Sequence, residues 1–363
     1  MISFIQKGRN NPRVDWRSAD ATGWYTCCGV TLRPIIENCW KCWRYSGNFS
    51  PLFQEPNDMR FCYAHRRFAL YPQSVDSWNL APNNYTSDFL KKTKSLGFDA
   101  IEVGLEVMSQ LGTEQKIKDF TKNFNDHGLE IGCIRAGGTL HDAKNGPQNR
   151  ARFDEAIKYA GWTGAEVVNG AMSAPTRHPD LFPGAGSGYS ESQDASRDTM
   201  LRVYEDLAPV FQEACVKASD ANTNITVEIH QNSPVDSSWS ALLLHGLVDR
   251  PNFGINPDIG NILWTYDVPE EDFDTAIDSV APVSKYWHCK NLHTVHHPEN
   301  NRSVFVRVPL PDGEIDYRYA ISAMYAAGYS GYMTIEGAWA GDQWAQDEKS
   351  IKYARSIWDE LEA

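Results

Sequence analysis

The chain lacks any run near 18 consecutive apolar residues, which excludes a helix that crosses a membrane. Its first residues, MISFIQKGRNNPRVDW, hold no apolar signal-peptide core, and the protein is expected in the cytoplasm. Basic charge is in deficit: 34 Lys and Arg face 47 Asp and Glu, a formal charge of −13 with histidines neutral. That balance repels phosphate backbones and anionic lipid, so no nucleic-acid or membrane partner is expected. No G-x-G-x-x-G follows a strand-like run, which removes the main support for a dinucleotide-binding open sheet. Internal repeats and low-complexity tracts are missing as well. What is plentiful is apolar: 42% hydrophobic residues, with 12 Trp, 16 Tyr and 15 Phe in 363. A large core is therefore available, and wholesale disorder is excluded. Of 8 cysteines, Cys27, Cys28, Cys39, Cys42 and Cys62 fall within the first 62 residues. In a cytosolic chain such crowding reads as metal binding or buried thiols rather than disulfides.

Length alone allows about two domains or one enlarged α/β barrel. From residue 67 onward, strand-like runs alternate with helical patterns. The predicted strands are 67–71 (RFALY), 98–103, 129–134, 165–168, 225–230, 253–256, 285–289 and 332–335. The predicted helices cover about 87–95, 114–126, 149–160, 196–219, 238–247, 270–278, 316–327 and a last one to Glu362. Eight βα units impose parallel strands and close into an α/β fold, the (β/α)₈ TIM barrel. Residues 67–363 form that barrel in this reading, and 1–66 an irregular Cys- and Trp-rich N-terminal extension. Two long loops, 171–195 and 291–315, follow strand C-termini, where a barrel builds its active site.

The ends of the last four strands carry the chemistry. They deliver Glu228, Asp258, His288 and Glu336, spaced by 30, 30 and 48 residues. A barrel converges these ends on one point, where three carboxylates would repel each other without a cation between them. Glu, Asp, His and Glu form a ligand set for Mn²⁺, Mg²⁺, Co²⁺ or Zn²⁺, and the oxygen majority favours Mn²⁺ or Mg²⁺. His230, two residues after Glu228, shares its inward face by strand alternation and is a candidate base or a support for a ligand. Lys290 faces inward by the same argument, to hold an oxyanion or to balance the acids. Glu102, His141 and His178 are weaker candidates for the pocket, and His293, His296 and His297 with Arg302 and Arg307 suit substrate or partner contact. Trp264, Trp287 and Trp339 flank the ligands and could form aromatic walls for stacking on a ligand ring, with plain packing as the other reading. In the extension, Cys39 and Cys42 make a C-x-x-C that Cys28, Cys62 or His65 could complete as a zinc site, with buried thiols as the plainer reading.

These strand ends, with the segments WHCKN, VPLPDGEIDYRYAISAMYAAGYSGYMTIEG and GDQWAQDEKSIKYAR, resemble the xylose isomerase-like TIM-barrel superfamily of sugar isomerases and epimerases. The resemblance covers about residues 67–363. It implies that Glu228, Asp258, His288 and Glu336 bind one divalent metal ion, and that the substrate is a sugar. Within that superfamily, EIHQN and INPDIGN are similar to the catalytic subunit of C-glycoside deglycosidases. This narrower likeness implies a lyase that deprotonates a 3-oxo-glycoside beside its carbonyl and expels the aglycone by β-elimination. His230, Glu228, Glu336 and Lys290 would serve as its catalytic groups. It also implies a small second subunit and an oligomer. The alternative is an isomerase or epimerase that works through the same enediolate.

Overall fold

The computed structural model describes residues 59–65, 80–172 and 195–363, apart from 232, 265–268, 298–301 and 339–340. It also describes short strands at 26–27, 30–31, 67–70 and 73–76. The chain divides into two compact units, Met1–Pro56 and Asn57–Ala363. In the first, Thr26–Cys27 pairs antiparallel with Val30–Thr31.

The second unit is built on eight strands: β1 Arg60–Tyr63, β2 Ala100–Gly104, β3 Glu130–Arg135, β4 Val167–Ala171, β5 Asn224–Glu228, β6 Phe253–Asn256, β7 Trp287–Cys289 and β8 Tyr332–Ile335. They run parallel in the order β6-β5-β4-β3-β2-β1-β8-β7. Most of their residues are buried on both faces, because side chains fill the interior and helices cover the outside. Between β6 and β7 the ring is joined by one isolated bridge, Ile255 with Ser284, and by the Lys285 amide donating to the Ile255 carbonyl at 3.1 Å. The result is a nearly closed TIM barrel.

The covering helices are α1 Ser87–Ser95, α2 Glu114–Asn125, α3 Gly146–Thr163, α4 Leu201–Asp220, α5 Ser238–Val248, α6 Phe273–Val280, α7 Tyr317–Ala326 and α8 Gln343–Glu362. Their starts follow local chemistry. Thr86 accepts the Phe89 amide at 3.2 Å, Thr113 that of Lys116, and Asp316 that of Tyr319, each satisfying an otherwise orphaned donor. Helix α2 shows the usual division of faces: Ile117, Phe120 and Phe124 are buried, while Lys118 pairs with Glu114 on the solvent side.

Toward the strand N-termini the barrel is filled by Cys62, Ala100, Cys133, Val167, Tyr286 and Tyr332. Gly132 makes room for this layer, since a Cβ there would lie 3.0 Å from the Tyr332 ring. Arg60 closes that end, gripping Glu166 at 2.6 and 2.8 Å and lying 4.2 Å over the Tyr332 ring.

Two expectations are corrected. The predicted strand at 67–71 is one arm of a hairpin, Arg67–Leu70 against Gln73–Asp76, and the first barrel strand is Arg60–Tyr63. The barrel therefore begins before residue 67. FCY and RFALY are equally short and apolar, so periodicity cannot choose between them. Cys62 thereby leaves the extension: it lies buried inside the barrel, 3.6 Å from the Tyr286 hydroxyl, where burial pushes its thiol pKa up. That position withdraws it from a zinc site in the extension. His65 is likewise buried, against the Tyr63, Tyr85 and Phe89 rings. The second long loop is mostly an antiparallel hairpin, Asn291–His297 with Arg302–Val308. Its inner face packs Leu292 and Phe305 on Trp264, and Val295, Val304 and Val306 are exposed on the other.

Candidate metal centre

Glu228 ends β5, Asp258 lies two residues past β6, His288 sits within β7 and Glu336 follows β8. All four are buried, and each offers one ligand atom within 4.8 Å of the others. Around His288 Nδ1 stand Glu228 Oε2 at 3.4 Å, Glu336 Oε1 at 3.5 Å and Asp258 Oδ2 at 3.9 Å. The other imidazole nitrogen, Nε2, lies 2.8 Å from Glu102 Oε2. A carboxylate only accepts, so Nε2 carries a hydrogen, and Nδ1 is the ring atom turned toward the three acids. This corrects the reading of Glu102: it does not reach the barrel mouth but orients His288. Tyr286 donates to the same Glu102 oxygen at 3.1 Å, and Arg135 lies 3.4 Å from the other.

The two sides of the cluster are held differently. Glu228 is framed by neutral amides, Asn169 Nδ2 at 3.2 Å and Asn261 Nδ2 at 3.1 Å. Asp258 and Glu336 are paired with cations. Lys290 Nζ is 2.6 Å from Asp258 and 3.1 Å from Glu336, and Arg307 Nη1 is 3.0 Å from Glu336. Trp264 backs both cations, at 5.8 and 5.2 Å from its ring.

The electrostatics follow from burial and charge. Burial pushes His288 down, but Glu102 and Glu228 outweigh it and lift its pKa to about 9. Burial alone would raise Glu228, yet His288, His230 and Lys290 hold it well below the usual carboxylate range. Lys290 is lowered to about 8 by burial, against the pull of Asp258. His230 is half-buried with Nδ1 2.7 Å from the Gln231 carbonyl; burial lowers its pKa, and Glu228 and Asp258 oppose the shift.

The donor set fits a divalent cation. Asp258 Oδ1 and His288 Nδ1 are wholly buried and have no hydrogen-bond partner among the described residues. A buried carboxylate oxygen and an imidazole nitrogen set among further carboxylate oxygens are costly unless positive charge lies between them, a proton on Nδ1 or a metal ion. A second ring of groups that orients the ligands is also present, as metal sites require.

The remaining candidates divide. Trp287 turns away from the site and stacks on Tyr317 at 6.2 Å in the layer between sheet and helices, so its expected place at the pocket is withdrawn. His293 is exposed, 3.9 Å from Glu314, and His141 is half-buried after β3. His178, Trp339, Cys28, Cys39 and Cys42, and the side chains of Cys27, His296, His297 and Arg302, lie outside the described residues. Sequence reasoning missed Arg135, Asn169, Asn256, Asn261 and Tyr286. Asn256 did leave a trace, as a single amide at the end of an otherwise apolar strand.

The family model described as "Xylose isomerase-like TIM barrel" matches residues 90–359. An L-ribulose-5-phosphate 3-epimerase of Escherichia coli O157:H7 is 28% identical over 262 residues, covering 68% of this chain and 80% of that protein. Among solved structures, a xylose isomerase-like TIM barrel protein from Mycobacterium smegmatis, in complex with magnesium, superposes with a TM-score of 0.66 at 19% identity. It covers 85% of this chain and 98% of its own. An L-ribulose 3-epimerase superposes with a TM-score of 0.62 at 16% identity, over 84% and 96%. Among the described residues, no helix is long and apolar enough to cross a membrane.

Proposed function

The chain belongs to the xylose isomerase-like TIM barrel family, and from that premise we propose that it is a divalent-metal-dependent sugar epimerase or isomerase. The observation that carries this reading is the buried convergence of Glu228, Asp258, His288 and Glu336, with His288 Nε2 fixed on Glu102. The sugar epimerases among its relatives support it. Mn²⁺ or Mg²⁺ best suits three oxygen donors and one nitrogen.

A bound divalent ion would polarise a sugar carbonyl and stabilise the enediolate left when the neighbouring carbon loses its proton. The protein's own groups supply the rest. His230, kept neutral by burial, accepts that proton. Epimerisation returns a proton to the opposite face, which needs a second group. Glu336 leaves β8, three strands around the ring from β5 and His230, and approaches from another side. Lys290 and Arg307 hold Glu336 and donate toward developing negative charge on the substrate oxygens.

A lyase course uses the same enolate and differs only in its collapse, where the electron pair expels a β-substituent instead of recovering a proton. One assay separates the two. The Mn²⁺-loaded protein is incubated in D₂O with L-ribulose 5-phosphate, free ketoses and 3-oxo-glucosides bearing C- or O-linked aromatic groups. Deuterium beside the carbonyl with an isomeric sugar is the expected result, and free aglycone assigns the lyase instead. Neither exchange nor product on any of these, or full activity after exhaustive chelation, overturns the proposal.

A further inference from the structure

The barrel is least connected between β6 and β7, where the single Ile255–Ser284 bridge replaces a ladder. His288 sits at this seam, and its backbone amide has no strand carbonyl to meet. The side chain of Asn256, the last residue of β6, takes that place: its Oδ1 accepts the His288 amide at 2.7 Å. Both residues are wholly buried. The orientation of the Asn256 carboxamide is fixed by chemistry, because a flipped amide would set a donor against the His288 N–H. The same orientation leaves Asn256 Nδ2 buried with no partner among the described residues. An unmet buried donor is costly, so the arrangement is retained against an unfavourable contribution.

We propose that Asn256 is a positioning residue, a side-chain splint that stands in for the missing backbone ladder and sets the height of His288 against the other three ligands. His288 is then held at three points. Asn256 fixes its backbone, Glu102 fixes Nε2, and the β8 ladder pairs it with Thr334. The inference rests on the metal reading of the site, and its test separates the two.

The full-length protein is loaded with Co²⁺, and affinity by calorimetry and the visible ligand-field spectrum are read for the wild type, Asn256→Ala and Asn256→Asp. Asn256→Ala should bind Co²⁺ about 10- to 100-fold more weakly, the usual effect of removing a group that orients a ligand, with a shifted spectrum. Asn256→Asp keeps an acceptor at Oδ1, so it should retain the wild-type spectrum and bind at least as tightly. Should the alanine variant not fold, Asn256→Ser, with a hydroxyl too short to reach the amide, gives the same comparison. Wild-type affinity and spectrum in Asn256→Ala, or an Asp variant that shifts as Ala does, overturns the splint while leaving the metal site standing. A wild type that takes up no Co²⁺ overturns the metal reading and the splint with it.

Discussion

Metal uptake should displace a proton from His288, and the amount is set by the site's geometry. In the metal-free protein the imidazole lies among Glu102, Glu228, Asp258 and Glu336, and the first two lift its pKa to about 9 from an ordinary value of 6.5. The protonated form thus stabilises the metal-free fold fully below about pH 6.5, and this contribution fades as pH rises through about 9. A ligated Nδ1 cannot carry a proton, so cation and proton compete for the same lone pair. At pH 7 the imidazole lies about two units below its pKa, and its proton opposes the metal by about 3 kcal/mol. Apparent Mn²⁺ affinity should therefore rise about tenfold per pH unit from 7 toward 9, about 100-fold overall, and then level off. Calorimetry at pH 7 in two buffers of different ionisation enthalpy counts the protons directly. Lys290, with a value of about 8, stays charged at that pH, and about one proton should leave per ion. Affinity independent of pH over this range, with no proton released, would refute the arrangement described around Nδ1.

Further outcomes follow from the same contacts. Glu102→Gln removes the charge that lifts His288, so it should flatten the pH dependence of Mn²⁺ affinity between 7 and 9; an unchanged slope would assign the shift to Glu228 alone. His230→Ala should keep one metal per chain by elemental analysis while turnover falls about 10²- to 10⁴-fold; loss of the metal would make His230 a ligand or its support. Glu336→Ala should lower metal occupancy, since it removes a ligand and the carboxylate that Lys290 and Arg307 share; full occupancy removes Glu336 from the ligand set. Trp287→Ala should cost about 3–5 kcal/mol in urea unfolding, as expected for a large buried aromatic. A small loss would mean that its packing on Tyr317 and Tyr329 matters little.

Much of the barrel was legible because its signals are local. Helix α1 is bounded in sequence by the Thr86 cap and filled by Phe89 and Leu90, and the structure gives it the bounds that periodicity suggests. The strand-end register brought Glu228, Asp258, His288 and Glu336 into view, since parallel topology turns regular spacing along the chain into proximity in space. What stayed hidden depends on distant pairs. Glu102 meets its histidine across 186 residues, and Asn169 meets Glu228 across 59, separations for which a single sequence carries no mark. Trp287 is a different case: period two turns it outward once His288 points in, so its orientation was already contained in the strand pattern.

Strand β1 has a consequence for how the protein comes into being. It is the earliest strand of the barrel to be synthesised, yet it pairs with the last, and its Arg60 reaches Tyr332 across 272 residues. At about 5–20 residues per second, a ribosome needs about 15–55 s to supply that distant neighbour. Throughout this interval one edge of β1, with the apolar Phe61 and Tyr63, waits for its neighbour. Closure between the first and last strands carries a large loop entropy and a high contact order, and it comes late. Until translation is nearly complete, the sheet thus keeps an open edge at its first strand.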